Sequence, residues 1–285
     1  MNMRWLGIIL QVSRPRVWVY LGGMYAMGFA LGAQRLDDLL PWRFWAHLVF
    51  FLPLANLLLY GTHALYEHEP TELHDTPETP ETFEQRAPVQ HRRLIAAGVL
   101  IAALVNCVLI RQAHTWYAQL LLGLFLLLAV LNNLPPVRLQ ARPVLDLLAS
   151  VLYVLPGFLG YYQTSGHYPA VPVIAAAVCW ASGLQLLSAV PDILPDRDAG
   201  LRTTAVALGV RMSLLVCALL WSGFALIIVL QGYLVPLGMV AFIYPLLGFF
   251  LFEYFALGER ASRWFPWLNG AVMGTVIALA LARLS

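Results

Sequence analysis

The stretch from Ser188 to Thr204 gathers Asp192, Asp196 and Asp198 with Arg197 and Arg202 at the end of a long apolar run. Asp192 and Asp196 are four positions apart, so on a helix they share a face. Two carboxylates held side by side repel each other and favour a divalent cation between them. Mg²⁺ takes a few carboxylates and fills its remaining positions with water and phosphate oxygens. Arginine forks can take other phosphate oxygens. These residue types at this spacing describe a metal–diphosphate clamp at the edge of an apolar layer. The competing reading is a solvated loop whose acids balance its arginines, because short charged loops join most membrane helices.

A second polar cluster closes another apolar run. Asn56, His63 and Glu67 are seven and four positions apart, which places them on one helical face. Polar residues inside an apolar segment are costly and usually face a cavity or another helix. His63 and Glu67 could hold a metal or ordered water; the simpler alternative is one interhelical hydrogen bond from Asn56 and a loop that begins near His63. From His68 to Gln90 the chain is acidic and proline-containing, a long loop of the kind that serves as a lid or stays extended. A third stretch, Asn132 to Pro143, carries Arg138 and Arg142, with Asp146 just after. Its arginines would complement a diphosphate, or anchor to anionic lipid head groups. Gln185 precedes Asp192 by seven residues, on the same face and deeper, where it would line a cavity. Tyr60, Tyr153, Tyr161 and Tyr162 offer π faces to a cation, although ordinary packing explains any one of them equally well.

These residues need a scaffold, and the composition says which kind. Of 285 residues, 60% are hydrophobic and 11% charged, against about 25% charged in a soluble domain. The chain therefore reads as an all-α, polytopic membrane bundle around a central cavity, a single domain over residues 1–285, with no nucleic-acid partner. All 17 basic residues are arginine, which excludes a Schiff-base lysine. Cys107, Cys179 and Cys217 lie in apolar runs and read as small buried hydrophobes. Nine segments approach the roughly 20 residues that a span needs: Val17–Ala33, Phe44–Tyr66, Leu94–Ile110, Thr115–Leu131, Val144–Tyr162, Val171–Val190, Ser213–Gln231, Leu234–Phe255 and Trp264–Leu284. With the N-terminus in the cytoplasm, thirteen arginines fall inside and four outside, a clear positive-inside bias. The expectation is a multi-pass protein of the cell (inner) membrane, with its acidic motifs cytoplasmic and its C-terminus outside.

Over essentially its full length the chain resembles the UbiA-type intramembrane prenyltransferases. Ser13-Arg-Pro-Arg-Val-Trp18, Leu54 to Gly61, Asn133-Leu-Pro-Pro-Val-Arg138, Arg142-Pro-Val-Leu-Asp146 and Ala189 to Thr204 are similar to the carotenoid branch, the lycopene elongases. The resemblance implies that Mg²⁺ assists ionisation of a short allylic diphosphate such as dimethylallyl diphosphate. A lipophilic acceptor in the membrane lipid, a carotenoid such as lycopene, then attacks the carbocation, which loses a proton or adds water. The family's Asp-x-x-x-Asp pair falls on Asp192 and Asp196, with Asp198 beside it as a further metal ligand. Arg138, Arg142, Arg202 and Asn56 would hold the diphosphate, and His63, Tyr60, Tyr153 and Gln185 would line the cavity. The family's first motif, Asn-Asp-x-x-Asp-x-x-x-Asp, falls on His63 to Thr71 and is degenerate. His63, Ala64 and Thr71 replace its Asn and two of its Asp residues, and Glu67 alone keeps a carboxylate for metal and catalysis. Three alternatives follow: one metal with arginines serves in its place, Glu67, Glu69 and Glu72 rebuild a site, or ionisation is lost. Alternative functions are an aromatic (quinone-type) prenyltransferase, a polyene hydratase or cyclase, and a non-catalytic lipid-binding or partner subunit.

Overall fold

The computed structural model describes residues 4–35, 41–66, 91–232 and 235–284. Among them every regular element is helical. An N-terminal helix α1 (Arg4–Val12) leads through a tight 3-10 turn, Pro15–Tyr20, into α2 (Gly22–Gly32). The helix α3 (Trp42–Val49) continues into α4 (Ala55–Tyr66), and α5 (Arg92–Gln112) and α6 (Trp116–Leu131) follow. A short α7 (Leu145–Ala149) runs by way of Ser150–Tyr153 into α8 (Leu155–Ser165). Next come α9 (Val171–Ala189), the short helices α10 (Ile193–Asp198) and α11 (Thr204–Leu208), and α12 (Val210–Leu230). The chain ends with α13 (Val235–Ala241), α14 (Ile243–Glu253) and α15 (Gly258–Ala282).

Six helical stretches are long and apolar enough to cross a membrane: 42–66, 92–112, 145–165, 171–189, 210–230 and 255–282. Trp116–Leu131 and Gly238–Glu253 are apolar but shorter. The first expected span is divided between the 3-10 turn and the eleven residues of α2. Nine spans were expected, and six meet the length among the described residues. Breaks in the helices account for the difference. Glycine and proline shorten regular helix where neighbouring backbone re-satisfies the freed groups.

Pro53 shows how this works. It lacks an N–H, and the helix widens there into a π turn, Phe50–Leu54. Asn56 Nδ2 donates to the carbonyls of Phe51 (3.0 Å) and Leu52 (2.7 Å), so the backbone of the widened turn keeps its partners. Elsewhere the chain approaches itself closely. A Cβ on Gly28 would lie 1.9 Å from the Gly157 carbonyl oxygen, and one on Gly160 would lie 2.4 Å from the Tyr25 oxygen. The α2–α8 contact therefore depends on glycine on both helices. Helices α9, α12 and α14 pack in sequence, and α15 closes against α2. Between them Trp221, Tyr244, Phe265 and Tyr20 form a buried aromatic core.

Candidate functional site

The helix α10 is only six residues long, and its ends explain its use. Asp192 stands at its N-terminus, and Asp196 N–H donates to the Asp192 carbonyl at 2.8 Å. The two carboxylates thus sit one turn apart. The helix stops at Gly200, whose φ is 71°. Leu201 N–H reaches back to the Asp196 carbonyl (2.8 Å) and Gly200 N–H to that of Arg197 (3.0 Å), a Schellman closure that needs glycine's left-handed freedom. The reversal sends Arg202, Thr203 and Thr204 back toward the bundle. Thr203 caps α11 by accepting from Val206 N–H at 3.2 Å.

Thr204 then meets the connector from α6. Its backbone N–H donates to Asp146 Oδ2 at 2.7 Å, and its hydroxyl donates to Asp146 Oδ1. The same hydroxyl accepts from Val144 N–H at 2.7 Å. Asp146 is only 3% exposed and also accepts from Leu147 N–H at 2.8 Å. Val144 is bent to a φ of 69°, uncommon for a β-branched residue. The connector carrying Arg138 and Arg142 is thereby tied to the segment carrying Asp192, Asp196 and Arg202.

Arg138 itself adopts a left-handed φ of 37°. It is half-buried, and its Nε is enclosed with no hydrogen-bond partner. An enclosed guanidinium donor without an acceptor costs stability unless an anion supplies one. Arg142 is exposed and donates one nitrogen to the Pro136 carbonyl at 3.0 Å. Arg202 is exposed.

The second cluster joins the same connector. His63 Nδ1 lies 3.2 Å from Asn133 Oδ1 and 3.1 Å from Gln140 Nε2, so α4 ends against the Arg138 loop. Asn133, buried at 2%, also donates to the Leu59 carbonyl at 3.2 Å. His63 therefore contacts the connector. Asn56 does not join it: at 1% exposure its amide hydrogens are turned onto its own helix, and its Oδ1 has no partner. Glu67, with Glu69, Thr71 and Glu72, lies outside the described residues.

Of the expected metal ligands Asp192, Asp196, Asp198 and Glu67, the first three are among the described residues. Among the described residues no three His, Cys, Asp or Glu side chains come together at one point. Asp198 is exposed at the far end of α10. What fits Mg²⁺ is the Asp192–Asp196 pair, because this ion is commonly held by one or two carboxylates plus substrate phosphates.

One contributor escaped the sequence reading. Arg14, in a left-handed turn at φ 50°, places its guanidinium carbon 4.6 Å from the centroid of the Tyr60 ring. The turn is fixed by Trp18 Nε1 donating to the Ser13 carbonyl at 2.9 Å and by the Ser13 hydroxyl donating to the Leu10 carbonyl at 2.8 Å. This cation covers one face of the Tyr60 ring. Tyr60 also lies close to Tyr153, and Tyr153 packs edge-on against Tyr20 at 6.1 Å. Tyr20 stacks on Phe265 at 6.4 Å, and Phe265 on Trp221 at 5.4 Å. A path of rings thus leads from the polar end into the bundle. Gln185, half-buried on α9, lies two turns above Asp192. Tyr161 and Tyr162 belong to the other end of the bundle, where Tyr162 packs on Tyr117 and Tyr168. The signal for Arg14 was present in the sequence: a Ser-Arg-Pro-Arg turn between two apolar helices leaves an arginine little room to leave the interface.

No family model matches the chain. A lycopene elongase/hydratase of Haloferax volcanii is 35% identical over 274 residues, covering 96% of this chain and 88% of that protein. Another, of Halobacterium salinarum, is 32% identical and covers 94% of each. Among solved structures, a UbiA homologue from Archaeoglobus fulgidus superposes with a TM-score of 0.71 at 18% identity over 97% of this chain and 99% of that one. The same homologue bound to DMAPP and Mg²⁺ gives 0.65, at 18% identity over 97% and 98%. The fold is that of a multi-pass membrane protein with a prenyltransferase architecture, and the chain belongs to the carotenoid branch of the UbiA-type prenyltransferases, the lycopene elongase/hydratase family.

Proposed function

We propose that the protein transfers a dimethylallyl group from its diphosphate to an end of lycopene or a similar carotenoid, the whole chain acting as one catalytic unit. The observation that carries this reading is the enclosed, unpartnered Nε of Arg138 on a connector that Asp146 ties to the Asp192–Asp196 segment. A buried guanidinium donor calls for an anion, and the carboxylate pair calls for a cation between itself and that anion. Asp192 and Asp196 would hold Mg²⁺, which when bound neutralises charge on the diphosphate. A metal-bound homologue of the same fold, solved with DMAPP, supports that role.

Arg138, with Arg142 and Arg202 at the rim, binds the diphosphate oxygens on which charge grows as the allylic C–O bond breaks. The electron pair leaves with the diphosphate. The acceptor's terminal alkene then attacks the allylic carbon, a C–C bond forms, and a tertiary cation remains on the acceptor. That cation loses a proton, or takes water and then loses a proton, which leaves a hydroxyl. The half-buried ring of Tyr153, backed by the buried rings of Tyr20 and Phe265, keeps bulk water from the acceptor and presents a π face to it. Orientation follows from the arginine bias: the Asp192 end and the N-terminus face the cytoplasm of the cell membrane, and the C-terminus faces outward.

Purified protein in detergent, given Mg²⁺, labelled dimethylallyl diphosphate and lycopene, should release diphosphate and form a longer, more polar carotenoid. Absence of diphosphate release with lycopene or any quinone-type acceptor would leave only a lipid-binding role.

A further inference from the structure

At the end of the bundle opposite Asp192, the start of α3, the end of α5, the start of α6 and the end of α8 enclose a vestibule of about 540 Å³. Its inner wall is a directed chain of hydrogen bonds. The Tyr25 hydroxyl donates to Gln163 Oε1 at 2.8 Å. His47 Nδ1 lies 2.8 Å from the Arg43 carbonyl oxygen. A carbonyl only accepts, so Nδ1 carries the proton and Nε2 is left as an acceptor. Gln163 Nε2, at 3.3 Å, donates to it. The amide of Gln163 is thereby oriented from both sides. One of its N–H groups and one lone pair of its oxygen remain, and the residue lines the vestibule. Behind this amide the packing is aromatic: His47 is 7% exposed and Tyr25 fully buried, stacked with Phe44 and His47 at 5.7 Å each, while Arg43, Gln112, His114, Thr115 and Thr164 also line the vestibule.

An adjacent donor and acceptor on one fixed amide, backed by aromatic rings, match a hydroxyl group, which can accept from the N–H and donate to the carbonyl. We propose that this vestibule binds the hydroxyl-bearing terminus of an extended isoprenoid whose other terminus lies at the Asp192 end. The proposal rests on the prenyl-transfer reading and extends it. His47 and His63 belong to one continuous helical stretch, Trp42–Tyr66, and are 16 residues apart. At 1.5 Å per residue that is about 24 Å, close to the roughly 30 Å of a bilayer's hydrocarbon core. An extended tetraterpene covers this distance. Lycopene has two equivalent ends. An acceptor already elongated and hydrated at one end differs from a fresh one chiefly by a remote hydroxyl. Without a partner in apolar surroundings that hydroxyl is penalised, and the Gln163 amide supplies one. The vestibule thus selects the once-modified chain and promotes the second round.

Two measurements on the full-length protein in detergent test this. Solanesol, a long terpenoid alcohol, and the hydrocarbon of matching length are titrated against it by tryptophan fluorescence. The wild type should bind the alcohol about five- to tenfold more tightly, the worth of one net hydrogen bond. Gln163→Met and, separately, His47→Phe should bring the ratio near unity. Equal binding by the wild type, or a preference kept by both variants, overturns the proposal. With lycopene and dimethylallyl diphosphate, the variants should keep the first-round rate within about twofold while once-elongated product accumulates several-fold. Proportional loss of both rounds, or of neither, also overturns it. Wild-type protein that transfers no prenyl group would refute the transferase reading, and the binding ratio would then still decide the vestibule's ligand.

Discussion

The Asp146 carboxylate accepts both the backbone N–H and the hydroxyl of Thr204, a residue 58 positions further along the chain. This is the joint between the arginine-bearing connector and the aspartate-bearing helix. Asp146→Ala leaves two buried donors on Thr204 unpaired, a penalty of about 1–3 kcal/mol. Thr204→Val keeps the shape but removes the hydroxyl and strands Val144 N–H. Both variants should unfold at lower temperature in detergent and lose turnover together. The double variant should be less damaged than the sum, with a coupling of about 0.5–3 kcal/mol. Additive losses would mean that the two residues act separately.

Arg138 makes the opposite stability prediction. Its Nε is enclosed without an acceptor, so Arg138→Met removes an unsatisfied donor and should leave thermal stability equal or higher. The same change should lower kcat/KM for the allylic diphosphate by about 10²–10³, the usual scale for one lost anion-stabilising donor. A variant that lost stability but kept its activity would place the side chain in the packing instead. Functional sites commonly trade stability in this way.

For the carboxylate pair, Asp192→Asn and Asp196→Asn each keep size and hydrogen-bonding capacity but remove charge. Each should shift the Mg²⁺ concentration giving half-maximal rate upward by tenfold or more, and lower the maximal rate by about 10². Asp198→Asn, exposed at the end of α10, should alter neither by more than about twofold. An equal effect from all three substitutions would make Asp198 a metal ligand as well.

Much of this was legible in the sequence. The four-residue spacing of Asp192 and Asp196 survives in α10, and the glycine two positions past Asp198 is where the helix closes. The apolar runs declared a membrane bundle, because uninterrupted hydrophobic length is a direct physical signal. What sequence alone did not show is where side chains turn. Asn56 and His63 share a helical period, yet the π turn at Pro53 draws the Asn56 amide back onto its own carbonyls while His63 reaches the connector. Tyr161 and Tyr153 look alike in the sequence, but Tyr161 lies near the last turn of the 145–165 span and Tyr153 near its middle. The Asp146–Thr204 joint and the Gln163–His47 contact join residues far apart in the chain, and periodicity carries no information about such pairs.

The α2–α8 seam tests the fold itself. At Gly28 an added methyl would meet the Gly157 carbonyl, a backbone atom that cannot swing aside. Gly28→Ala should therefore separate the helices and cost about 1–3 kcal/mol, as overpacking does. The melting temperature in detergent should fall. Gly123→Ala, which meets nothing within 4 Å, should leave it unchanged or raise it slightly, since alanine is the better helix former. A similar loss at both positions would indicate a looser seam.

Arg14 and Tyr60 yield the last prediction, because the contact between them is separable by chemistry. The guanidinium carbon stands 4.6 Å from the ring centroid, within cation–π range and worth about 0.5–2 kcal/mol at a half-buried site. Arg14→Met removes the cation but keeps a flexible apolar stem. Tyr60→Phe keeps the ring and deletes the hydroxyl on the side of Tyr153. If the cation acts through the ring, Arg14→Met should destabilise the wild type and the Tyr60→Phe variant by the same amount. It should have no effect on stability in a Tyr60→Leu background, and Arg14→Lys should recover most of the loss. Activity then separates the two roles of Tyr60: Tyr60→Phe should change the ratio of hydrated to deprotonated product, since a hydroxyl near the acceptor path can hold water, whereas Arg14→Met should change turnover without moving that ratio. A shift of the product ratio by Arg14→Met alone would mean that the guanidinium, rather than the phenol pair, orders the water.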